Sequence, residues 1–109
     1  MKNQENLQEI SQRIEEIKRE LMSIGSMRPG SVNEQFKDSK KRTGSYFQLN
    51  YTHKMKTKTE YIRKDQVDQM RIETEEYKRF KELIDEWITL SIDISRLRVK
   101  NLPGSRVKI

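Results

Sequence analysis

Apolar residues recur at alternating steps of three and four in two long stretches of the chain. The first set begins seven residues from the start and consists of Leu7, Ile10, Ile14, Ile17, Leu21 and Ile24. This is the a/d spacing of a heptad repeat, which places the apolar side chains on one seam of a helix. Gly25 follows the last of them and suits a helix C-cap. The pattern predicts a helix over residues 4–24.

The second set repeats the same steps near the end of the chain: Phe80, Leu83, Trp87, Leu90, Ile94 and Leu97. Asp65 suits the N-cap of this helix, and no Gly or Pro occurs from there to Arg98. The pattern predicts a second helix over residues 65–98. This helix is much longer than the first, so the first helix alone is too short to cover its whole apolar seam.

The region between the two heptad segments changes character twice. Residues 25–45 contain Pro29-Gly30 and Gly44 and are predicted to form a turn and an exposed loop. In residues 46–52, apolar and polar residues alternate, as in a strand with one buried face. Residues 57–62 are a second, weaker strand, although the connection lacks the Asn-Gly or Asp-Gly of a tight turn. We therefore predict a β-hairpin over residues 46–62.

These elements predict a single α+β domain over residues 1–109, mostly α, with a basic tail over residues 99–109. The two heptad helices form an antiparallel pair, with the hairpin near its turn. Because the helices differ in length, a homodimer that closes into a bundle would cover the rest of the second seam. The predicted oligomer interface consists of Phe80, Leu83, Trp87, Leu90, Ile94 and Leu97.

Positive charge is concentrated between the helices. The chain has 109 residues and a net charge of +6. Residues 37–64 contain nine Lys or Arg and only two acids, which makes this segment +7, whereas the flanking segments are nearly neutral. Positive charge concentrated in one segment indicates a negatively charged partner.

The predicted partner is nucleic acid, with DNA ahead of RNA, because phosphates attract clustered cations and a β-ribbon fits a major groove. The predicted contact residues are Lys40, Lys41, Arg42, Lys54, Lys56, Lys58, Arg63 and Lys64. The alternative is an adaptor whose basic hairpin docks on an acidic protein. Lysines that merely keep an edge strand soluble would give the same pattern.

No catalytic set is recognisable, so we predict a protein that is not an enzyme and has no metal or cofactor. The chain has no cysteine, and its single histidine, His53, falls in the predicted hairpin turn without an orienting carboxylate. Its charged residues amount to 37% of the chain, and its longest apolar runs are two residues. We expect a soluble, cytoplasmic protein without a secretory signal or a membrane segment.

Three short motifs carry a family resemblance that spans most of the chain. They are a turn after the first helix, a strand opening and a segment of the long helix: Pro29-Gly30-Ser31, Thr43-Gly44-Ser45-Tyr46-Phe47 and Tyr77-Lys78-Arg79-Phe80. In this order they resemble a family of small prokaryotic proteins of unknown function that are often found with transposases and other mobile elements. The resemblance implies a mobile-element setting and a recombinase or transposase as a possible partner.

The chain departs from the family pattern at two places. Many members carry a Cys-rich knuckle between the turn and the first strand, where this chain has residues 32–38 without cysteine. Ser45 stands where proline is usual. A metal-binding role therefore does not carry over to this chain.

Overall fold

The computed structural model describes residues 2–101, and the side chains of residues 6–100. In chain order the elements are a helix, three strands, a short 3-10 turn (Lys64–Gln66) and a second helix: α1 Lys2–Met22, β1 Ser31–Asp38, β2 Thr43–His53, β3 Lys56–Ile62 and α2 Val67–Asn101. The chain divides into two compact units. The helical unit contains α1 and α2 from Phe80 onward, and the sheet unit contains residues 24–79.

The predicted order of helix, hairpin and helix is wrong, because the sheet has three strands. They form an antiparallel sheet in the order β1-β2-β3. The additional strand, β1, lies in the segment that was predicted to be a loop. Its apolar residues Val32 and Phe36 share a face, but Glu34 stands between them, so the alternation that marks a strand is broken. The strand is stabilised by hydrogen bonds to β2, where for example Val32 pairs with Leu49, and the local sequence pattern does not predict this pairing.

The core of the sheet unit lies between the sheet and the beginning of α2. Leu49 in the central strand is fully buried and packs with Ile62 and Val67. The partly buried residues around this cluster are Val32, Phe47, Tyr51 and Met70. The sheet therefore covers the N-terminal part of α2, whereas Ile88 and Ile92 in its C-terminal part remain about half exposed.

In the helical unit, α1 and the C-terminal part of α2 pack antiparallel. Residues 6–10 border the same groove as residues 93–100, whereas Arg13 is paired with Glu86. Ile14 and Ile17 of α1 are buried, as are Leu83 and Ile94 of α2. Two residues of the predicted oligomer interface are thus buried within one chain, and the homodimer itself stays a prediction. Of the predicted basic tail, residues 102–109 lie outside the described part of the chain.

Candidate nucleic-acid interface

The strand register assigns every sheet residue to one of two faces, because paired residues lie on the same face and neighbours along a strand alternate. We call the face that carries Leu49 the inner face and the face that carries Gln48 the outer face. Lys56 and Lys58 pair with His53 and Tyr51, so all four lie on the inner face. They are located towards the β2–β3 turn, beyond the buried core residues.

The β2–β3 turn is a two-residue connection with an unusual sequence. Lys54 and Met55 have φ angles of 52° and 65°, so both occupy the left-handed region. Tight hairpins of this kind normally have Asn and Gly at these positions, because other residues pay a steric cost there. Met55 is 98% exposed. The turn thus holds Lys54 at the very end of the ribbon.

A shallow indentation next to this turn brings together one aromatic ring and four nitrogen-bearing side chains. Its lining consists of Tyr51, His53, Lys54, Lys56 and Lys58, which we call the tip cluster. Within the described part of the chain, none of the three lysines forms an ion pair with a carboxylate. Three unpaired ammonium groups around one depression create a local positive field that an anion would neutralise.

Arg28 is a further residue at this surface that the sequence analysis missed. Its guanidinium carbon lies 5.0 Å from the centre of the Tyr51 ring, and it forms an ion pair with Glu60. Its backbone N–H donates to the carbonyl oxygen of Glu73 at 3.0 Å, which ties the segment before β1 to α2. Because Glu60 is engaged by Arg28, it does not neutralise Lys58. No local pattern could have identified Arg28, since its partners lie far away along the chain.

The other predicted contact residues lie at the opposite end of the sheet. The β1–β2 turn carries Lys40, Lys41 and Arg42, and its backbone is held by Asp38, whose Oδ1 accepts from the N–H groups of Lys40 and Lys41 at 3.1 Å each. The guanidinium carbon of Arg42 lies 5.4 Å from the ring centre of Phe36. We call Lys40, Lys41 and Arg42 the turn cluster.

Strand β2 separates the two clusters, and at about 3.3 Å per residue its length is roughly 33 Å. Arg63 and Lys64 follow the end of β3 and so lie towards the turn cluster. Arg63 donates two hydrogen bonds to the carboxylate of Asp65, at 3.1 Å and 2.6 Å. The eight predicted residues therefore do not form one patch, and Arg63 is already occupied by an acid.

Strong electrostatic coupling occurs elsewhere, within the helical unit. The Arg13 side chain donates to both carboxylate oxygens of Glu86, at 2.7 Å and 2.8 Å. These hydrogen bonds lower the pKa of Glu86 below its usual range and raise the pKa of Arg13. The pair joins α1 to α2, so its role is structural. Among the described residues, no group of three or more His, Cys, Asp or Glu side chains is placed to hold a metal ion.

In chain order, one helix precedes and one helix follows a three-stranded antiparallel sheet with basic residues at both of its ends, which makes this a small α+β protein. The chain belongs to the family of a domain of unknown function, DUF6788, which matches residues 7–72. This span contains most of α1, the whole sheet and the start of α2. No curated protein and no solved structure matches the chain. Within the described residues, neither helix has a stretch long and apolar enough to cross a membrane.

Proposed function

We propose that this protein binds nucleic acid without catalysing a reaction on it, and that the tip cluster contacts the phosphate backbone. The observation that carries the proposal is the set of three lysines, Lys54, Lys56 and Lys58, around one indentation and without carboxylate partners among the described residues. A phosphate that binds there neutralises charge that the fold leaves uncompensated, and counterions released from the nucleic acid supply the driving force.

The support from geometry is stronger for the tip cluster than for the remaining predicted residues. Lys56 and Lys58 project from the same face of β3 at a spacing of two residues, and Lys54 is fixed in the turn. Side chains on strands hold their positions better than side chains on loops, which favours contacts to successive phosphates. The aromatic ring of Tyr51 and the imidazole of His53 add a surface on which a sugar or a base can rest.

The biological setting rests on the family resemblance alone. The motifs quoted for it imply a mobile element, in which a small basic protein of this kind would serve as an accessory or regulatory component beside a recombinase or transposase. An acidic surface on such a protein is the competing ligand for the tip cluster, and the experiment below separates the two.

The test compares two triple variants that lower the net charge by the same amount. Lys54→Gln/Lys56→Gln/Lys58→Gln removes the cations of the tip cluster, and Lys81→Gln/Arg98→Gln/Lys100→Gln removes three cations of α2. Binding of labelled duplex DNA, single-stranded DNA and RNA is followed by fluorescence anisotropy at several salt concentrations. For duplex DNA, the first variant should reduce the slope of log K against log salt by about 0.9 per lost contact, about 2.7 in total.

The control variant should keep the slope of the unaltered protein. Equal slopes for both triple variants would mean that binding follows net charge and that the tip cluster has no special role. If no nucleic acid binds even at low salt, the proposal is wrong, and the cations face an acidic protein.

A further inference from the structure

The outer face of the sheet has a composition unlike that of any other surface of the sheet unit. Its members contain hydroxyl, amide or ammonium groups, apart from one glycine, and none is acidic or aliphatic: Ser31, Asn33, Gln35, Lys37, Gly44, Tyr46, Gln48, Asn50, Thr52, Thr57, Thr59 and Tyr61. None of them is buried. The three acids of the strands, Glu34, Asp38 and Glu60, all fall on the inner face. The outer face therefore does not repel a polyanion.

Among the described residues, two tyrosines on this face have no arginine or lysine over the ring, whereas three aromatic residues of the inner face each have an arginine there. An arginine lies over each of the inner rings of Phe36, Phe47 and Tyr51. Tyr46 and Tyr61 have no such neighbour and no hydrogen bond within the described part of the chain; Tyr61 is 68% exposed, and Tyr46 is partly buried. An aromatic ring left open on a sheet provides a flat surface for another ring.

The register places a glutamine directly beside each of these tyrosines. Gln35 is paired with Tyr46, and Gln48 is paired with Tyr61. Because Tyr46 is two residues before Gln48 on β2, the two tyrosines are diagonal neighbours, about 7 Å apart at their Cα atoms. In the described residues, the amides of both glutamines lack hydrogen-bond partners, although Asn50 accepts from Thr59 and Asn33 donates to Ser31. Tyr46, Tyr61, Gln35 and Gln48, which we call the platform, thus combine one exposed and one partly exposed ring with amides that have no hydrogen-bond partner in the described part of the chain.

Cations border the platform at one end. Lys37 lies on the outer face itself, one residue pair beyond Gln35 and Tyr46, opposite Gly44. The turn cluster and Lys64 are located towards the same end of the sheet, and none of these cations forms an ion pair in the described part of the chain. Phosphates that follow a strand across the tyrosines would meet these charges.

From this arrangement we infer that the outer face binds single-stranded nucleic acid, with unpaired bases stacked on Tyr46 and Tyr61. Gln35 and Gln48 contact the base edges, and Lys37 contacts the backbone. This inference rests on the proposed function and names its substrate class. A duplex cannot stack its bases on the two tyrosines, because the flat faces of its bases are covered by their neighbours in the stack. An unpaired strand exposes these faces.

The first experiment uses the unaltered protein and three probes of equal length: labelled oligothymidylate, the same strand with abasic sites in place of the bases, and a DNA duplex. The abasic strand keeps the phosphates and loses the rings. Stacking predicts that oligothymidylate binds at least about tenfold more tightly than the abasic strand. Equal affinities for the two strands would overturn the inference, because binding would then depend on phosphates alone.

The second experiment compares Tyr46→Thr/Tyr61→Thr with Tyr46→Phe/Tyr61→Phe. Threonine keeps strand propensity and removes the ring, whereas phenylalanine keeps the ring. Each lost ring should weaken binding of oligothymidylate between about five- and a hundredfold, while the phenylalanine variant should bind like the unaltered protein. Binding of the abasic strand should be the same for all three proteins.

Thermal unfolding followed by circular dichroism verifies that each variant is folded. If the double variant does not fold, the single variant Tyr61→Thr decides the question, because Tyr61 is exposed on an edge strand and its replacement should be tolerated. An unchanged affinity of folded Tyr61→Thr for oligothymidylate would overturn the inference. If that affinity still falls with salt and still depends on the tip cluster, the proposed function stands. A failure of all probes to bind would overturn both proposals.

Discussion

The helical unit and the sheet unit differ in backbone geometry and in how their cations are grouped. In the helical unit, Arg13 lies among three glutamates and donates two hydrogen bonds to one of them, Glu86. Cations without ion pairs in the described part of the chain occur in both units, for example Lys81 and Arg98 on α2, but in the sheet unit they belong to the strands and their turns: Lys37, Lys40, Lys41, Arg42, Lys54, Lys56 and Lys58. Every described residue with positive φ also belongs to the sheet unit.

In the described part of the chain, the helical unit has no residue with positive φ, so the backbone strain lies in the sheet unit. Clustered lysines repel one another, and left-handed non-glycine residues are strained, so both features lower the stability of the sheet unit. Features that cost stability concentrate where a protein binds something. The contrast supports the proposal that the sheet unit carries the binding surface.

The largest effect is expected from Gly30→Ala, which acts on the sheet unit. Gly30 has a φ of 120°, and a Cβ there would lie 2.5 Å from the carbonyl oxygen of Asn50 and 2.8 Å from the Cβ of Tyr51. The entry into β1 must therefore shift, and the free energy of unfolding should fall by about 3 kcal/mol. Urea denaturation followed by circular dichroism measures this change.

Gly25→Ala is the matched control for that substitution. A Cβ at Gly25 has no heavy atom within 4 Å, so the free energy of unfolding should change by less than about 1 kcal/mol. If both variants were equally stable, the close approach of Gly30 to β2 would not be a constraint on this fold.

A smaller effect of opposite sign is expected from Met55→Gly in the β2–β3 turn. Glycine adopts a φ of 65° without steric cost, although it also increases the entropy of the unfolded chain. The net gain in the free energy of unfolding should be about 0.5 kcal/mol. Met27→Gly, at an exposed methionine without positive φ, should lower stability instead. A lower free energy of unfolding for Met55→Gly would contradict the statement that the backbone of Met55 is strained.

The smallest effect is expected from Glu86→Gln, which weakens the charge pairing of the helical unit. Because Arg13 lowers the pKa of Glu86 in the folded protein, the carboxylate stabilises the fold above the ordinary glutamate pKa. This contribution is lost as the pH falls through the lowered pKa. Since the carboxylate side chain is 41% exposed, solvent screens the interaction and the effect stays below that of Met55→Gly.

Melting temperatures are measured from neutral to acidic pH. The unaltered protein should have a higher melting temperature than Glu86→Gln at neutral pH and the same melting temperature at acidic pH. Glu82→Gln, on the same helix and without an ion pair among the described residues, should differ little from the unaltered protein at any pH. If the melting temperature of Glu86→Gln were lower by the same amount at every pH, packing and not charge would join the helices at this point.

Local patterns predicted the helices and the hairpin better than they predicted the sheet as a whole. The heptad steps of Ile14 and Ile17 are a property of neighbouring residues, and both side chains are buried in α1. The alternation around Leu49 likewise marks the central strand. Strand β1 was not predicted, because Glu34 interrupts its apolar face. Its stability comes from pairing with a segment farther along the chain.

The sequence names residues for a candidate interface, which stays a prediction, but it does not show how the fold arranges them. The sequence predicts that Lys54, Lys56 and Lys58 cluster, because they alternate along one strand. It does not reveal that Lys40, Lys41 and Arg42 lie at the other end of β2, since the additional strand changes where each turn is placed. The contacts of Arg28 with Tyr51 and Glu60 were not predicted, because both residues lie far from Arg28 along the chain.

The amino-acid sequence by itself determined the two heptad helices, the central strand and the excess of positive charge between them. All three depend on residues within a few positions of one another, because helix and strand periods act over short distances. Only the tertiary structure decided the third strand, the division of the cations into two clusters and the acid-free outer face. These depend on which strand pairs with which and in what register, and a shift of one residue would move every side chain to the other face.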